Sequence, residues 1–138
     1  MKRIFADTAY WVAVVKSEDQ WAEVARHARD SLGEVRIVTT DEVLSEFLTA
    51  LSRAGYRLRH QAVRMVRAIL SDPSVEVLPQ SRDSFTDGLV LYERRLDKQY
   101  SLTDCIIMQT MRAEGVPDIL TADRHFAQEG FSVLMELE

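Results

Sequence analysis

Four carboxylates in this sequence sit where they could act on one ligand together: Asp7, Glu46, Asp104 and Asp123. Asp7 ends the short apolar run Arg3 to Ala6. Asp123 ends a second run, Asp118-Ile-Leu-Thr-Ala. Asp104 falls in the first turn of a helix that starts near Ser101, and Glu46 lies among Leu44, Phe47 and Leu48 of an amphipathic helix. Read as parallel strands, the two apolar runs deliver Asp7 and Asp123 to the same sheet edge, where open α/β sheets bind ligands. Helices beginning or passing above that edge would bring Asp104 and Glu46 alongside. Acids converging without bases repel one another, and a hard divalent cation is the chemical remedy. Magnesium prefers oxygen donors, takes a few carboxylates directly and keeps several waters. Such a site can orient a phosphate, activate a water and stabilise a leaving oxygen.

Each acid also has a plain structural reading. Asp7 before Thr8 is a possible helix cap. Asp104 complements a helix dipole, an effect of some tenths of a kcal/mol up to about one. Asp123 stands before a turn, where Asp is common. Glu46 could be turned to solvent by helical rotation. The combination of the four carries the inference.

The elements that must position these residues follow from periodicity and punctuation. Strands are expected at Arg3 to Ala6, Val35 to Val38, Val75 to Leu78, Asp118 to Ala122 and Phe131 to Leu137. A helical turn or two follows Asp7, with Thr8 able to cap it. Asp19 to about Leu32 reads as a helix with Trp21, Val24, Ala25 and Ala28 on one side, ended by Gly33. Thr40 or Asp41 caps the helix carrying Val43, Leu44, Phe47, Leu48 and Leu51. Arg57 to Leu70 is a helix with Leu58, Ala62, Met65, Val66 and Ile69 inward. Ser81 to Asp97 is another, with Phe85, Leu89, Tyr92 and Leu96 inward. The helix beginning near Ser101 has Ile107, Met108, Met111 and Ala113 on its apolar side and stops at Gly115 and Pro117. A short helix spans about Arg124 to Gln128. Strands alternating with helices predict an α/β fold, a mostly parallel sheet with helices on both faces.

Composition sets outer bounds. The 138 residues, 46% hydrophobic and 28% charged, suit a single globular domain, 1–138. A net charge of −5 shows no overall basic field, though a local basic face could still meet nucleic acid. Such a face is available: Arg57, His60, Arg64 and Arg67 form a stripe, with Arg53 upstream, suited to RNA phosphates or simply to solvent. One cysteine, Cys105, excludes an internal disulfide and fits a reducing cytosol. It reads as a core residue. Asp7 interrupts the first apolar run and no cleavage-site pattern follows, so the start reads as mature sequence and the expected location is cytoplasmic. His27, His60 and His125 share no ligand spacing, and His125 is read as unburied beside a buried Phe126. No glycine-rich phosphate loop and no Gly-x-Ser-x-Gly elbow is present.

Four stretches resemble, in order, the motifs of PIN-domain ribonucleases. These are Phe5-Ala6-Asp7-Thr8, Val43-Leu44-Ser45-Glu46-Phe47-Leu48, Leu102-Thr103-Asp104-Cys105, and Leu120-Thr121-Ala122-Asp123-Arg124-His125-Phe126. The resemblance spans nearly the whole chain. It implies a magnesium or manganese site built on Asp7, Glu46, Asp104 and Asp123, with the hydroxyls of Thr8 and Thr121 supporting the acids. It also implies RNA phosphodiester hydrolysis leaving a 5′-phosphate. Length and organisation look most like VapC toxins of VapBC pairs, which implies a small antitoxin partner and a homodimer. Two other readings stay open. One is a catalytically silent PIN scaffold that acts by binding protein or RNA. The other is a phosphate-accepting receiver-type domain. A receiver would pair acids after the first strand and place a lysine late in the chain. Here Asp7 stands alone, and Lys98, the last lysine, precedes the third motif.

Overall fold

In the computed structural model, residues 1–136 are described, and they form one α/β unit. The order is β1 (Arg3–Ala6), α1 (Thr8–Val15), α2 (Ala22–Ser31), β2 (Arg36–Thr40), α3 (Asp41–Ala50), α4 (Tyr56–Ser71) and β3 (Val75–Leu78). It continues with α5 (Arg82–Arg94), α6 (Leu102–Glu114), β4 (Asp118–Leu120), α7 (His125–Gln128) and β5 (Ser132–Val133). The five strands make one sheet in the order β3-β2-β1-β4-β5, and every pairing is parallel.

This order positions the site. The chain steps outward from β1 to β2 and β3, then returns to the other side of β1 for β4 and β5. Right-handed crossovers place helices of the outward and returning halves on opposite faces. Accordingly α1 contacts α2, α3 and α4, while α5 lies against α6. The strand order reverses between β1 and β4, the switch point at whose carboxyl ends open α/β sheets bind ligands. Ile4, Phe5, Ala6, Val38, Ile119 and Leu120 are fully buried, as strands covered on both faces require.

Local signals account for the ends of the helices. Thr40 caps α3, its hydroxyl accepting from Val43 N–H at 3.2 Å. Ser101 and Asp104 form a reciprocal capping box at the start of α6. Gly115 closes that helix at φ 68°, a left-handed conformation that favours glycine. Gly88 of α5 marks a close helix approach, because a Cβ there would lie 3.0 Å from the Ile106 backbone of α6.

Several sequence expectations need correction. α5 stops at Arg94, three residues before Asp97, and its buried residues are Gly88 and Leu91. Phe85, Leu89, Tyr92 and Leu96, expected inward, are 41%, 45%, 41% and 73% exposed. The small Gly88 faces α6, so the line of contact runs along Gly88 and Leu91 and rotates the large apolar residues outward. α2 begins at Ala22, because the Asp19 carboxylate accepts from Trp21 N–H at 2.8 Å and holds a turn before it. Leu48 and Ala113 lie on exposed parts of their helices. The last strand is only Ser132–Val133, and Leu137, its expected end, lies outside the described residues. Cys105 is fully buried, as expected.

Candidate functional site

Asp7 and Asp123 lie just beyond the carboxyl ends of β1 and β4, while Asp104 and Glu46 are carried on α6 and α3. Asp7 is tied to Asp123 through Thr121, and Glu46 acts on Asp7 and Asp104 through its charge. Asp7 directly follows β1, and its backbone N–H still bonds to Leu120 O of β4 at 3.1 Å. Its side chain makes no capping bond to α1, which removes the plain capping reading. One oxygen, Oδ2, accepts from Thr121 Oγ1 at 2.8 Å. The other, Oδ1, is buried and has no hydrogen-bond partner. Burial chiefly raises the Asp7 pKa, from 3.8 to about 7. The Thr8 backbone amide and the Thr121 hydroxyl oppose this, while the charges of Glu46 and Asp104 add to it.

Asp123 is set by the same threonine. Thr121 Oγ1 accepts from Asp123 N–H at 3.1 Å, so one hydroxyl links the ends of β1 and β4. Asp123 Oδ1 in turn accepts from His125 N–H at 2.9 Å, closing a turn that starts α7. Glu46, one turn into α3, points toward α1, where Thr8 Oγ1 donates to its Oε1 at 2.6 Å. Thr8 is therefore the first residue of α1 and a donor to a carboxylate, not the helix cap. Asp104 is oriented by Ser101, whose N–H donates to Oδ2 at 3.0 Å. Burial raises the Asp104 pKa; the Ser101 amide and hydroxyl resist this, and the charges of Asp123 and Glu46 reinforce it. Mutual electrostatic coupling thus runs through all four carboxylates.

His125, given no role by spacing, belongs to this cluster. Its Nδ1 lies 3.2 Å from Asp123 Oδ1 and 4.0 Å from Asp104 Oδ2. The first separation has ion-pair range but not hydrogen-bond alignment, and Nδ1 is buried without a hydrogen-bond partner. Asp104, Asp123 and His125 each offer one donor atom within 4.8 Å of the others. The signal missed in the sequence was Asp123-Arg124-His125 itself: the turn closed by the His125 amide folds the imidazole back over its neighbouring acid. Ser101 was likewise noticed as a helix start but not as the group that fixes Asp104.

The donor set is oxygen-rich, crowded and short of countercharge, and it includes an orphaned buried carboxylate oxygen. Residues of this kind fit a hard divalent cation. The basic stripe is a separate feature. Arg57, His60, Arg64 and Arg67 are all exposed on α4, a helix with four arginines and no acid. Among the described residues no salt bridge pairs them.

A parallel α/β sheet with carboxylates converging at its switch point defines the class to which the chain's relatives also point. The sequence matches the PIN domain model over residues 4–131, and the chain belongs to that family. Among solved structures it is similar to VapC20 of Mycobacterium tuberculosis, described as a sarcin–ricin loop cleaving toxin. Identity is 26%, the TM-score 0.83, and the match covers 93% of this chain and 95% of that one. It shares its fold with FitAcB from Neisseria gonorrhoeae at 14% identity and TM-score 0.66, covering 95% and 96% of the two chains. It also shares the fold with FitAB bound to a DNA fragment, at 19% identity and TM-score 0.70, covering 98% and 97%. No curated protein matches the sequence significantly. The alternative reading as a phosphate-accepting receiver-type domain is thereby set aside. Among the described residues no helix is long and apolar enough to cross a membrane.

Proposed function

We propose that this protein is a divalent-metal-dependent endoribonuclease, the cytoplasmic toxin half of a VapBC-type pair. The observation that carries the reading is the buried, unpartnered Asp7 Oδ1, on a carboxyl whose pKa burial raises first and the charges of Glu46 and Asp104 raise further. Asp7, Glu46, Asp104 and Asp123 would hold Mg2+ or Mn2+, directly or through water. Bound there, the cation supplies Lewis acidity toward the phosphodiester and toward a nucleophilic water.

The chain's own groups do the positioning. Thr121 holds Asp7 and the Asp123 amide together, so the ends of β1 and β4 keep a fixed spacing. Thr8 holds Glu46 against α1, and Ser101 holds Asp104. Such fixed orientations keep a site organised before substrate arrives. Arg57, Arg64 and Arg67 would contact RNA phosphates, with forked donors suited to that geometry. The similarity to VapC20 makes structured ribosomal RNA the substrate class to test first. A small antitoxin and a second copy of the chain are the expected partners, and residues 1–138 are read as one PIN domain.

The test is cleavage of end-labelled structured RNA with Mg2+ or Mn2+, run beside identically purified Asp7→Asn. Metal-dependent cuts absent from the variant support the nuclease. Equal cutting by both proteins refutes the assigned site. No cutting by either across several RNAs, together with no metal binding, would favour a silent PIN scaffold.

A further inference from the structure

Carboxylates alone make a site that magnesium fills well. This site has something more. The His125 imidazole lies over Asp123 and close to Asp104, and its Nδ1 is shielded from water without a hydrogen-bond partner. Nδ1 thus faces carboxylate oxygens of Asp123 and Asp104, an arrangement completed either by a proton on Nδ1 or by a cation held among the three donors. Asp7 Oδ1, also buried and unpartnered, lies on a carboxyl that feels the charge of Asp104. An octahedral ion about 2.1 Å from its donors spaces adjacent donors about 3 Å apart and opposite donors about 4 Å apart. The Nδ1 separations of 3.2 Å and 4.0 Å suit that spacing.

The ring is also held in place. Tyr100 meets it edge-on, with centroids 5.3 Å apart and planes at 61°. The Tyr100 hydroxyl donates to Glu129 at 2.9 Å. Glu129, its side chain only 5% exposed, is clamped by Arg95 and Arg112. Burial alone would raise the Glu129 pKa, but hydrogen bonds from Arg95, Arg112 and Tyr100 bring it down to about 2, so the clamp stays charged.

Resting on the metal-site reading above, we propose that His125 Nδ1 is a cation donor beside Asp104 and Asp123, and that it biases the site toward Mn2+ over Mg2+. The chemistry is ligand softness. Imidazole nitrogen contributes to transition-metal binding, whereas magnesium takes oxygen ligands and would keep water in that place.

The test titrates untagged apo protein with Mn2+, followed by electron paramagnetic resonance, with Mg2+ affinity measured by competition. Spin-echo modulation of the bound Mn2+ then reads nitrogen coupling directly. The expected result is tighter binding of Mn2+ than Mg2+ and a clear nitrogen coupling. His125→Ala and His125→Asn should abolish the coupling and weaken Mn2+ roughly tenfold, the scale on which site-supporting groups alter metal affinity, while leaving Mg2+ nearly unchanged. The double variant His27→Ala/His60→Ala, at exposed positions, should keep the coupling. This control decides the question even if the His125 variants fold poorly. Mn2+ bound without nitrogen coupling, coupling lost with His27 and His60, or equal weakening of both ions in a folded His125 variant overturns the proposal. No binding of either ion by the parent protein instead refutes the metal-site reading itself.

Discussion

Asp7→Asn isolates the electrostatic cost of the site in the apo protein. Raising a carboxyl pKa from 3.8 to about 7 corresponds, at roughly 1.4 kcal/mol per pH unit, to about 4 kcal/mol. The sign follows from which state binds the proton more tightly. The folded state does, so the contribution is fully present below 3.8 and is lost as pH rises through about 7. Asparagine does not titrate. Substitution also shifts stability by a constant through altered bonding to Thr121, but that constant cancels in a pH series. Urea unfolding in EDTA should therefore show the variant gaining about 3 kcal/mol on the parent between about pH 5 and pH 8. Adding Mg2+ should largely cancel that gain, since a ligand at 100 times its Kd stabilises the parent by about 2.7 kcal/mol. Parallel pH profiles for parent and variant would refute the reasoning, because Asp7 would then be ionised in the fold at no cost.

Other perturbations test the supports of the site. Gly88→Ala forces a Cβ against the Ile106 backbone and should cost about 1–3 kcal/mol by overpacking α5 on α6, read by urea unfolding. Ser101→Ala removes the hydroxyl half of the α6 capping box, which accepts from the Asp104 backbone N–H, but keeps the Ser101 N–H that holds the Asp104 carboxylate; it should cost about 1 kcal/mol in urea unfolding and leave RNA cleavage nearly unchanged. Glu129→Gln should destabilise by about 1–2 kcal/mol at neutral pH, allowing for solvent screening of arginines that are 36% and 39% exposed. Because the folded pKa of Glu129 is depressed from 4.5 to about 2, that stability is present above 4.5 and is lost as pH falls through about 2, so thermal unfolding of the two proteins should converge in acid. Replacing Arg57, Arg64 and Arg67 together with Ala should weaken RNA binding and flatten its dependence on log salt by about 2, at roughly 0.7 per lost phosphate contact on a single strand.

What the sequence determined on its own was set by local physics. Strand one, the Thr40 cap, the stop at Gly115 and the parallel α/β class follow from side-chain period and from residues with restricted or permissive backbones. The four acids were legible because each stands at a recognisable boundary or, for Glu46, inside an otherwise apolar face. α5 was misread because periodicity finds apolar residues but cannot say which side another helix will approach; a glycine at 88, not the larger Phe85 or Leu89, decided that contact. Only the tertiary structure revealed that Thr121 joins Asp7 to Asp123, that Thr8 serves Glu46, and that His125 closes over Asp104 and Asp123. These relations depend on strand order. Placing β4 beside β1 brings together residues more than a hundred positions apart, and no spacing along the chain encodes that distance.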